Sequence, residues 1–304
     1  MLSRVKLSVV LITHNEELNL GRTLESVKPL VEGGRGEIIV VDSGSTDHTV
    51  QIAESYGAKV FVEPWKGFAA QKNSALDKAT GDWILSLDAD EEVSPALASE
   101  IVFIFMTPPS AHTEATLEHL RKVRYIFTRQ THRETRQLAK AQGVSDEAFF
   151  ATLTGFWIPR KNHFLGRWIK HGGYWPDPKL RLFRRGSARF EDRLVHEDVK
   201  LNGVAGKLRG ALIHHSYPTV SDYIEHMNRY SSLGAEMVVA KGPVHFTAIN
   251  VTLRPLWTFL YNYIFRLGFL DGKEGFLLHV NHSIYVAWKY AKAWELASSK
   301  DQKL

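Results

Sequence analysis

Through its first hundred positions the chain alternates short β-branched and aliphatic runs with amphipathic segments of about ten residues, and no other feature constrains its fold so tightly. Residues 6–12, 37–41, 59–62 and 83–87 read as strands, and 16–27, 47–56 and 68–79 as helices, with helix resuming after Pro95. Ser45 or Thr46 is the expected N-cap of the second helix, with Asp47 in its first turn. Strands separated by helices imply βαβ units and therefore an α/β fold, a mostly parallel sheet flanked by helices. In such a sheet ligands gather beyond the carboxyl ends of the strands. The chemically capable residues fall there: Thr13-His14-Asn15-Glu16 after strand one, Asp42-Ser43-Gly44-Ser45 after strand two, and Asp88-Ala89-Asp90 after strand four.

The last of these is the sharpest signal. An apolar strand stops abruptly at Asp88-Ala89-Asp90-Glu91-Glu92. Carboxylates this close repel one another, so the arrangement calls for a divalent cation, and oxygen ligands with open coordination positions suit Mg²⁺ or Mn²⁺ shared with substrate phosphates. A carboxylate about 4 Å from a phosphate charge costs roughly 4 kcal/mol at an effective dielectric of about 20, and a metal between them turns that repulsion into a clamp. For an isolated acidic pair a solvated turn capping the next helix is the competing explanation; the two strand ends upstream weigh against it here.

The 304 residues suffice for one large domain or a domain with an appended part. Cysteine is absent, which excludes a disulfide scaffold, a thiol nucleophile and a cysteine zinc site, and fits a reducing compartment. Met1-Leu2-Ser3-Arg4 leads directly into the first strand with no signal-peptide pattern. Net charge is only +5, yet Arg160, Lys161, Arg167, Lys170, Lys179, Arg181, Arg184 and Arg185 crowd one stretch, a patch suited to phosphorylated or anionic partners. No nucleic-acid-binding module accompanies it, so nucleic acid is not an expected partner.

Residues 107–154 are rich in charge, Thr, His and Gln and read as a polar, helical insertion without catalytic logic. Strand-like runs return between 155 and 216, for example 179–183 and 208–214. A catalytic domain over 1–216 and a helical, aromatic-rich region over 217–304 are therefore expected. Charged and histidine residues interrupt the two aromatic segments of that region, Arg254 and Arg266 the first and His279, His282 and Lys289 the second. They are not membrane spans, and either cover the catalytic domain or lie in a membrane interface.

No G-x-G-x-x-G follows strand one and no G-x-x-x-x-G-K-[ST] occurs, which argues against dinucleotide and P-loop enzymes. A phosphatase with a strand-end aspartate nucleophile is disfavoured because Glu92 stands where a Thr is required. With Thr13–Glu16, Asp42–Asp47, Gln71-Lys72-Asn73 and Asp88–Asp90 in order, the chain resembles the family 2 glycosyltransferases of the GT-A (Rossmann-like) fold, closely over 5–105 and again over about 155–215. Phe68–Asn73, Asn162–Trp168, Arg181-Leu182-Phe183-Arg184, Val195-His196-Glu197 and Arg266–Gly272 look, more narrowly, like the lipopolysaccharide core glucosyltransferases.

That resemblance implies roles. The loops bearing Thr13, Asn15 and Glu16, and Asp42, Gly44 and Ser45, would bind a nucleotide sugar, with Glu16 and Asp42 around the uracil or ribose. Lys72 would lie near the diphosphate, although a solvated helical lysine is an equal alternative. Asp90 would ligate the metal, and Asp88 the ribose or the metal. Arg181 and Arg184 face the diphosphate or an anionic acceptor. Inversion at C1 needs a base, for which Glu197 is the first candidate, with Asp198 in reserve and Asp192 third. His196 would orient that base or bind phosphate, and His214 or His215 is a possible third metal ligand.

The expected activity is metal-dependent inverting transfer of a hexose, glucose, from a UDP-linked donor to a lipopolysaccharide core or other lipid-linked envelope glycan, on the inner face of the cytoplasmic membrane. A catalytically silent scaffold of the same fold, bound to anionic membrane or polymer, is the alternative. A nucleotidyltransferase is disfavoured because no glycine-rich N-terminal loop is present.

Overall fold

The structure, a computed structural model, describes residues 5–103, 152–191 and 198–301. The expected insertion lies, up to residue 151, outside them. In chain order come β1 (Leu7–Thr13), α1 (Leu20–Val31), β2 (Gly36–Asp42), α2 (Thr49–Ser55), β3 (Lys59–Val62), α3 (Phe68–Lys78), β4 (Trp83–Leu87), β5 (Glu91–Val93) and α4 (Pro95–Ile101). Eight strands follow: β6 (Leu153–Ile158), β7 (Arg160–Phe164), β8 (Arg167–Trp168), β9 (Lys179–Arg184), β10 (Ala188–Glu191), β11 (Asp198–Leu201), β12 (Val204–Lys207) and β13 (Leu212–Tyr217). The remainder is helical: α5 (Val220–Ala240), α6 (Arg254–Leu260) between π-helical turns at Ile249–Leu253 and Tyr261–Phe265, a 3₁₀ turn at Gly268–Asp271, and α7 (Gly272–Asp301). Among the described residues no helix is long and apolar enough to cross a membrane.

The chain divides into two compact units, the first comprising 5–103, 152–160, 178–191 and 198–213, the second 161–177 and 214–301. The first holds a seven-stranded sheet in the order β12-β6-β9-β4-β1-β2-β3. β4, β1, β2 and β3 run parallel, as do β12 and β6, and β9 alone is antiparallel to its neighbours. This is the expected mostly parallel α/β architecture. Side chains alternate across each strand, so β1 sends Val9 and Leu11 to one face and Val10 to the other. Leu20, Leu24, Val27 and Leu30 of α1 form one helical stripe over the first face, and Ala69, Ala75 and Leu76 of α3 cover the second. Coverage of both faces explains why the central strands read as near-continuous apolar runs.

Two local expectations change. α1 starts at Leu20 rather than 16, because Asn15 adopts a left-handed φ of 55° and Glu16 begins a turn in which its carbonyl accepts the N–H groups of Asn19 and Leu20. Neither Ser45 nor Thr46 caps α2: the Ser45 hydroxyl donates to Asp42, and Asp47 Oδ1 accepts the Thr49 N–H at 3.0 Å.

Glu37 ties three elements at the amino ends of the strands. Its carboxylate accepts Ser8 Oγ at 2.7 Å, Thr80 N and Oγ1 at 2.8 and 2.7 Å, and Lys59 Nζ at 2.7 Å. Burial works to raise its pKa, but Lys59, Ser8 and Thr80 together lower it to about 2 from an ordinary 4.5. The unfolded chain therefore takes up this proton first as pH falls, and the stabilisation, complete above about 4.5, disappears toward about 2. Urea midpoints of wild type and Glu37→Gln are expected to differ clearly at about pH 7, to draw closer below about 4.5 and to converge only toward about pH 2; a constant gap would contradict the assignment.

In the second unit, β7 and β8 form a hairpin through Leu165 and Gly166, both at positive φ. Phe164, Ile169, Tyr223 and Leu278 make its core. Thr219 and Asp222 form a reciprocal capping box at the start of α5. Gly172 and Gly173 have φ of 65° and 91°, and a Cβ on them would fall 2.1 Å from His279 and Arg266 respectively, so only glycine fits this turn.

Candidate functional site

From β1 the chain steps outward through β2 to β3, then returns to the other side of β1 as β4. The order reverses there, and a reversal of this kind opens a crevice at the strand carboxyl ends. Thr13 closes β1 at that edge and Asp88 follows β4 directly.

Asp88 lies between two cations in a line of alternating charges. Lys72 Nζ is 2.8 Å from its Oδ1, and the Arg181 guanidinium donates to its Oδ2. Arg181 also donates to Glu91 Oε1 at 2.9 Å, and Arg160 donates to the same oxygen at 3.0 Å. The second Glu91 oxygen accepts the backbone N–H of Asp88 at 3.1 Å. Local geometry explains the assembly. Antiparallel pairing of Leu85 with Leu182 carries Arg181 one residue closer to the carboxyl end of β4, while β5 turns Glu91 inward. Glu91 is 0% exposed, and Lys72 and Arg181 are each 6% exposed. Burial would raise the Asp88 carboxyl, but Arg181 and Lys72 beside it hold it well below the ordinary range. Lys72 is thus a buried member of the site rather than a solvated lysine.

Glu16 and Asp90 complete the acidic side. The Glu16 carboxyl is pushed up by burial and by the charges of Asp90, Asp88 and Asp47, while Asn19 Nδ2 donates to it at 3.1 Å. Asp90 is half-buried. The two carboxylates that follow β4 therefore differ: Asp88 has each oxygen on a cation, and Asp90 shares the field of Glu16.

Asp42 organises the neighbouring loop. Oδ1 accepts Gly44 N at 2.9 Å and Ser45 N at 2.7 Å, and Oδ2 accepts Thr13 Oγ1 at 2.8 Å and Ser45 Oγ at 2.5 Å. These four donors hold its carboxyl low against the opposing effect of burial. With both oxygens doubly engaged and the residue 0% exposed, Asp42 ties the loop rather than offering an acceptor at the surface. Asn15 joins the two loops, donating its N–H to Ser45 Oγ at 2.8 Å and accepting Thr46 N–H on Oδ1 at 2.8 Å.

Other expected residues stand apart. Arg184 is three residues beyond Arg181, about 10 Å along an extended strand, opposite Trp83 at the amino end of β4. There it donates to Leu153 O at 3.1 Å and lies 5.2 Å from the Trp83 ring centroid, away from the carboxyl-end crevice. His214 Nδ1 is 2.7 Å from Asn162 Oδ1, and His215 stacks on His163. Among the described residues no three His, Asp or Glu side chains converge as a metal cage. Asp192, His196 and Glu197 lie outside the described residues, as does the side chain of Asp198.

Sequence reasoning missed Glu91 and Arg160. The signal available for Glu91 was its place in the short Glu91-Glu92-Val93 strand, whose alternation turns it inward with Val93. Gln71, beside Lys72 on α3, was also missed as a site feature: it is fully buried, and its amide nitrogen and oxygen have no hydrogen-bond partner among the described residues.

Comparison with known proteins gives a consistent result. The description "Glycosyl transferase family 2" belongs to the family model that matches residues 8–187. An uncharacterized glycosyltransferase of Rickettsia typhi is 29% identical over 96% of this chain and 88% of its own length. The lipopolysaccharide core biosynthesis glycosyltransferase LpsC of Rhizobium meliloti is 29% identical over 97% of this chain and 94% of its own. Among solved structures, glucosyl-3-phosphoglycerate synthase from Mycobacterium tuberculosis, in complex with Mn²⁺, UDP and glucosyl-3-phosphoglycerate, is 32% identical over 34% of this chain and 41% of that one, with a TM-score of 0.30.

Proposed function

Because the chain belongs to glycosyl transferase family 2, we propose that it transfers a hexose, glucose, with inversion from a UDP-linked donor to a lipid-linked glycan of the cell envelope, of the lipopolysaccharide core type. The observation that carries the donor side is the line Lys72–Asp88–Arg181–Glu91–Arg160 at the strand-end crevice, buried at Lys72, Arg181 and Glu91 and half-buried at Asp88 and Arg160, with Asp90 beside it. Three cations against two carboxylates leave one positive charge of excess before Asp90 is counted, an environment suited to a diphosphate leaving group. The acceptor class is supported by the likeness to LpsC along nearly the whole chain.

The donor set fits Mg²⁺ or Mn²⁺. Asp90, with Asp88 next to it, offers one or two carboxylates and no closed cage, and such ions take their other ligands from water and phosphate oxygens. When bound, the ion adds positive charge to the departing diphosphate. The chain's own residues do the rest. Asp88 holds Lys72 and Arg181 at the strand end, where they bind diphosphate oxygens, and Glu91 keeps Arg181 oriented. The loop tied by Asp42 presents Gly44 and Ser45 to the nucleoside, and Glu16 accepts from its polar groups. As the acceptor oxygen bonds to C1, the C1–diphosphate bond breaks and Glu197 takes the hydroxyl proton.

A donor screen across UDP-, GDP- and dTDP-sugars with either metal, read as nucleotide release, tests the proposal. UDP-glucose is expected to turn over fastest, and absence of both UDP binding and UDP-sugar hydrolysis would overturn it. Glu197→Gln is expected to lose turnover by about 10²–10⁴-fold while keeping UDP affinity; retained turnover would move the base to Asp198.

The C-terminal unit supports a peripheral location on anionic lipid. Leu253, Leu256, Trp257, Ile264 and Phe265 are exposed, Trp257 at 59% and Phe265 at 65%. Exposed Arg254, Arg266 and Lys273 lie in the same stretch. Apolar side chains flanked by cations match the boundary between acyl chains and acidic headgroups. The protein is expected to float with vesicles containing anionic lipid and to do so less as salt rises. Complete retention in the soluble fraction would exclude this location.

A further inference from the structure

The second unit contains a cavity of about 360 Å³ lined by Arg167, Trp168, Lys170, His171, Leu270 and Asp271, none of them part of the strand-end site. Its size is that of a small-molecule pocket rather than a niche for a single ion. Its wall is chemically one-sided. Of the cations that line it, Lys170 holds its ammonium 4.6 Å from the Trp168 ring centroid and has no carboxylate partner among the described residues; Lys161, which does not line the cavity, lies 4.6 Å from the same centroid. Arg167 reaches Glu274 only at 3.5 Å and keeps its side chain 48% exposed.

Asp271, the single acid on the wall, is already engaged. Its carboxylate accepts the backbone N–H of Lys170 at 3.2 Å and of His171 at 2.8 Å, and Oδ1 lies 3.0 Å from His171 Nδ1. It fixes the turn that presents Lys170 instead of neutralising it. Trp168 adds a buried donor: its Nε1–H has no acceptor among the described residues. A donor withdrawn from water on a wall that carries the cations of Arg167 and Lys170 lacks what an anionic oxygen provides.

We infer that this cavity is a phosphate-binding site, and that it seats a phosphorylated part of the molecule to which the sugar is transferred. The identity of that carrier rests on the proposed transferase function; the phosphate site itself does not. Two cations on separate side chains, Arg167 and Lys170, with the Trp168 N–H as a further donor, suit the splayed oxygens of phosphate better than the two coplanar oxygens of a carboxylate. Leu270, half exposed beside exposed Phe269 and Leu267, gives the cavity an apolar lip compatible with a phosphate borne by an amphiphile.

The test uses the full chain saturated with UDP and Mg²⁺, so that the strand-end cations are occupied. One arm titrates glucose 6-phosphate by calorimetry and tryptophan fluorescence; the other uses phosphatidylcholine vesicles with and without phosphatidic acid. Arg167→Gln/Lys170→Gln is expected to weaken phosphate binding by about tenfold or more, the scale of one lost charge-assisted contact, with UDP affinity unchanged. Lys207→Gln/Lys241→Gln, an equal change of charge on exposed lysines away from the cavity, is expected to retain sugar-phosphate binding. Loss confined to the soluble ligand identifies a glycan phosphate, and loss confined to phosphatidic acid a lipid headgroup. Equal binding by wild type and the cavity variant, equal loss in the control, or no binding of either probe by a protein that binds UDP overturns the site. Failure to bind UDP counts against the transferase function, while the wild-type and variant comparison still reads the cavity.

Discussion

Asp90→Asn is expected to lower sugar transfer by about 10³-fold or more while leaving thermal unfolding and circular dichroism unchanged. The substitution keeps the size of the side chain and removes the formal charge that, in the proposed function, anchors a divalent ion beside the diphosphate. Loss of about 4 kcal/mol of transition-state stabilisation corresponds to that factor, within the several kcal/mol a metal contributes to developing charge. Asp90 is half-buried, and the amide has nearly the shape of the carboxylate, so thermal unfolding reads stability apart from the kinetic effect. Nucleotide release from UDP-glucose, measured across a Mg²⁺ and Mn²⁺ titration, is the readout. Activity within tenfold of wild type at saturating metal would remove Asp90 from the anchoring role.

The second large effect is expected at Glu91, and it differs in kind. Glu91→Ala takes the counter-charge from two guanidinium groups, Arg160 and Arg181, and the acceptor from the Asp88 N–H. Breaking one side of a buried ion pair typically costs about 3–5 kcal/mol because the remaining charge cannot reach water. Chemical denaturation of Glu91→Ala should show a loss of that order, accompanied by weakened UDP binding as Arg181 loses its orientation. Glu91→Gln retains the hydrogen-bond acceptor and should lose less. A stability change below about 1 kcal/mol for the alanine variant would mean that the charge line is not coupled in the way its geometry implies. Comparison of the Asp90 and Glu91 variants thus separates chemistry from support.

Different parts of this arrangement were legible in the sequence to different degrees. The strands at 59–62 and 83–87 coincide with β3 and β4, since a short apolar run between turn residues is a local pattern. The boundary of α1 was not legible, because one left-handed residue, Asn15, diverts the chain into a turn before the helix begins. Asp42 was visible as a strand-end carboxylate with local donors in Gly44 and Ser45, but its fourth bond comes from Thr13 at the end of β1, 29 residues away. Arg181 and Arg184 looked equivalent on one basic run; strand register sends them to opposite ends of β4.

By itself the sequence determined the α/β alternation, the strand ends as the place of chemistry, and the Asp88-Ala89-Asp90 motif. Each depends on residues within a few positions of one another, whose propensities and spacing act locally. Tertiary structure alone decided which charges meet. Arg181 reaches Asp88 across 93 positions and Arg160 reaches Glu91 across 69, through sheet order and register that no local pattern encodes. Burial then changes what those residues are: Lys72, a surface lysine or a ligand by sequence, becomes an anchored cation because the crevice removes it from water and leaves Asp88 as its partner.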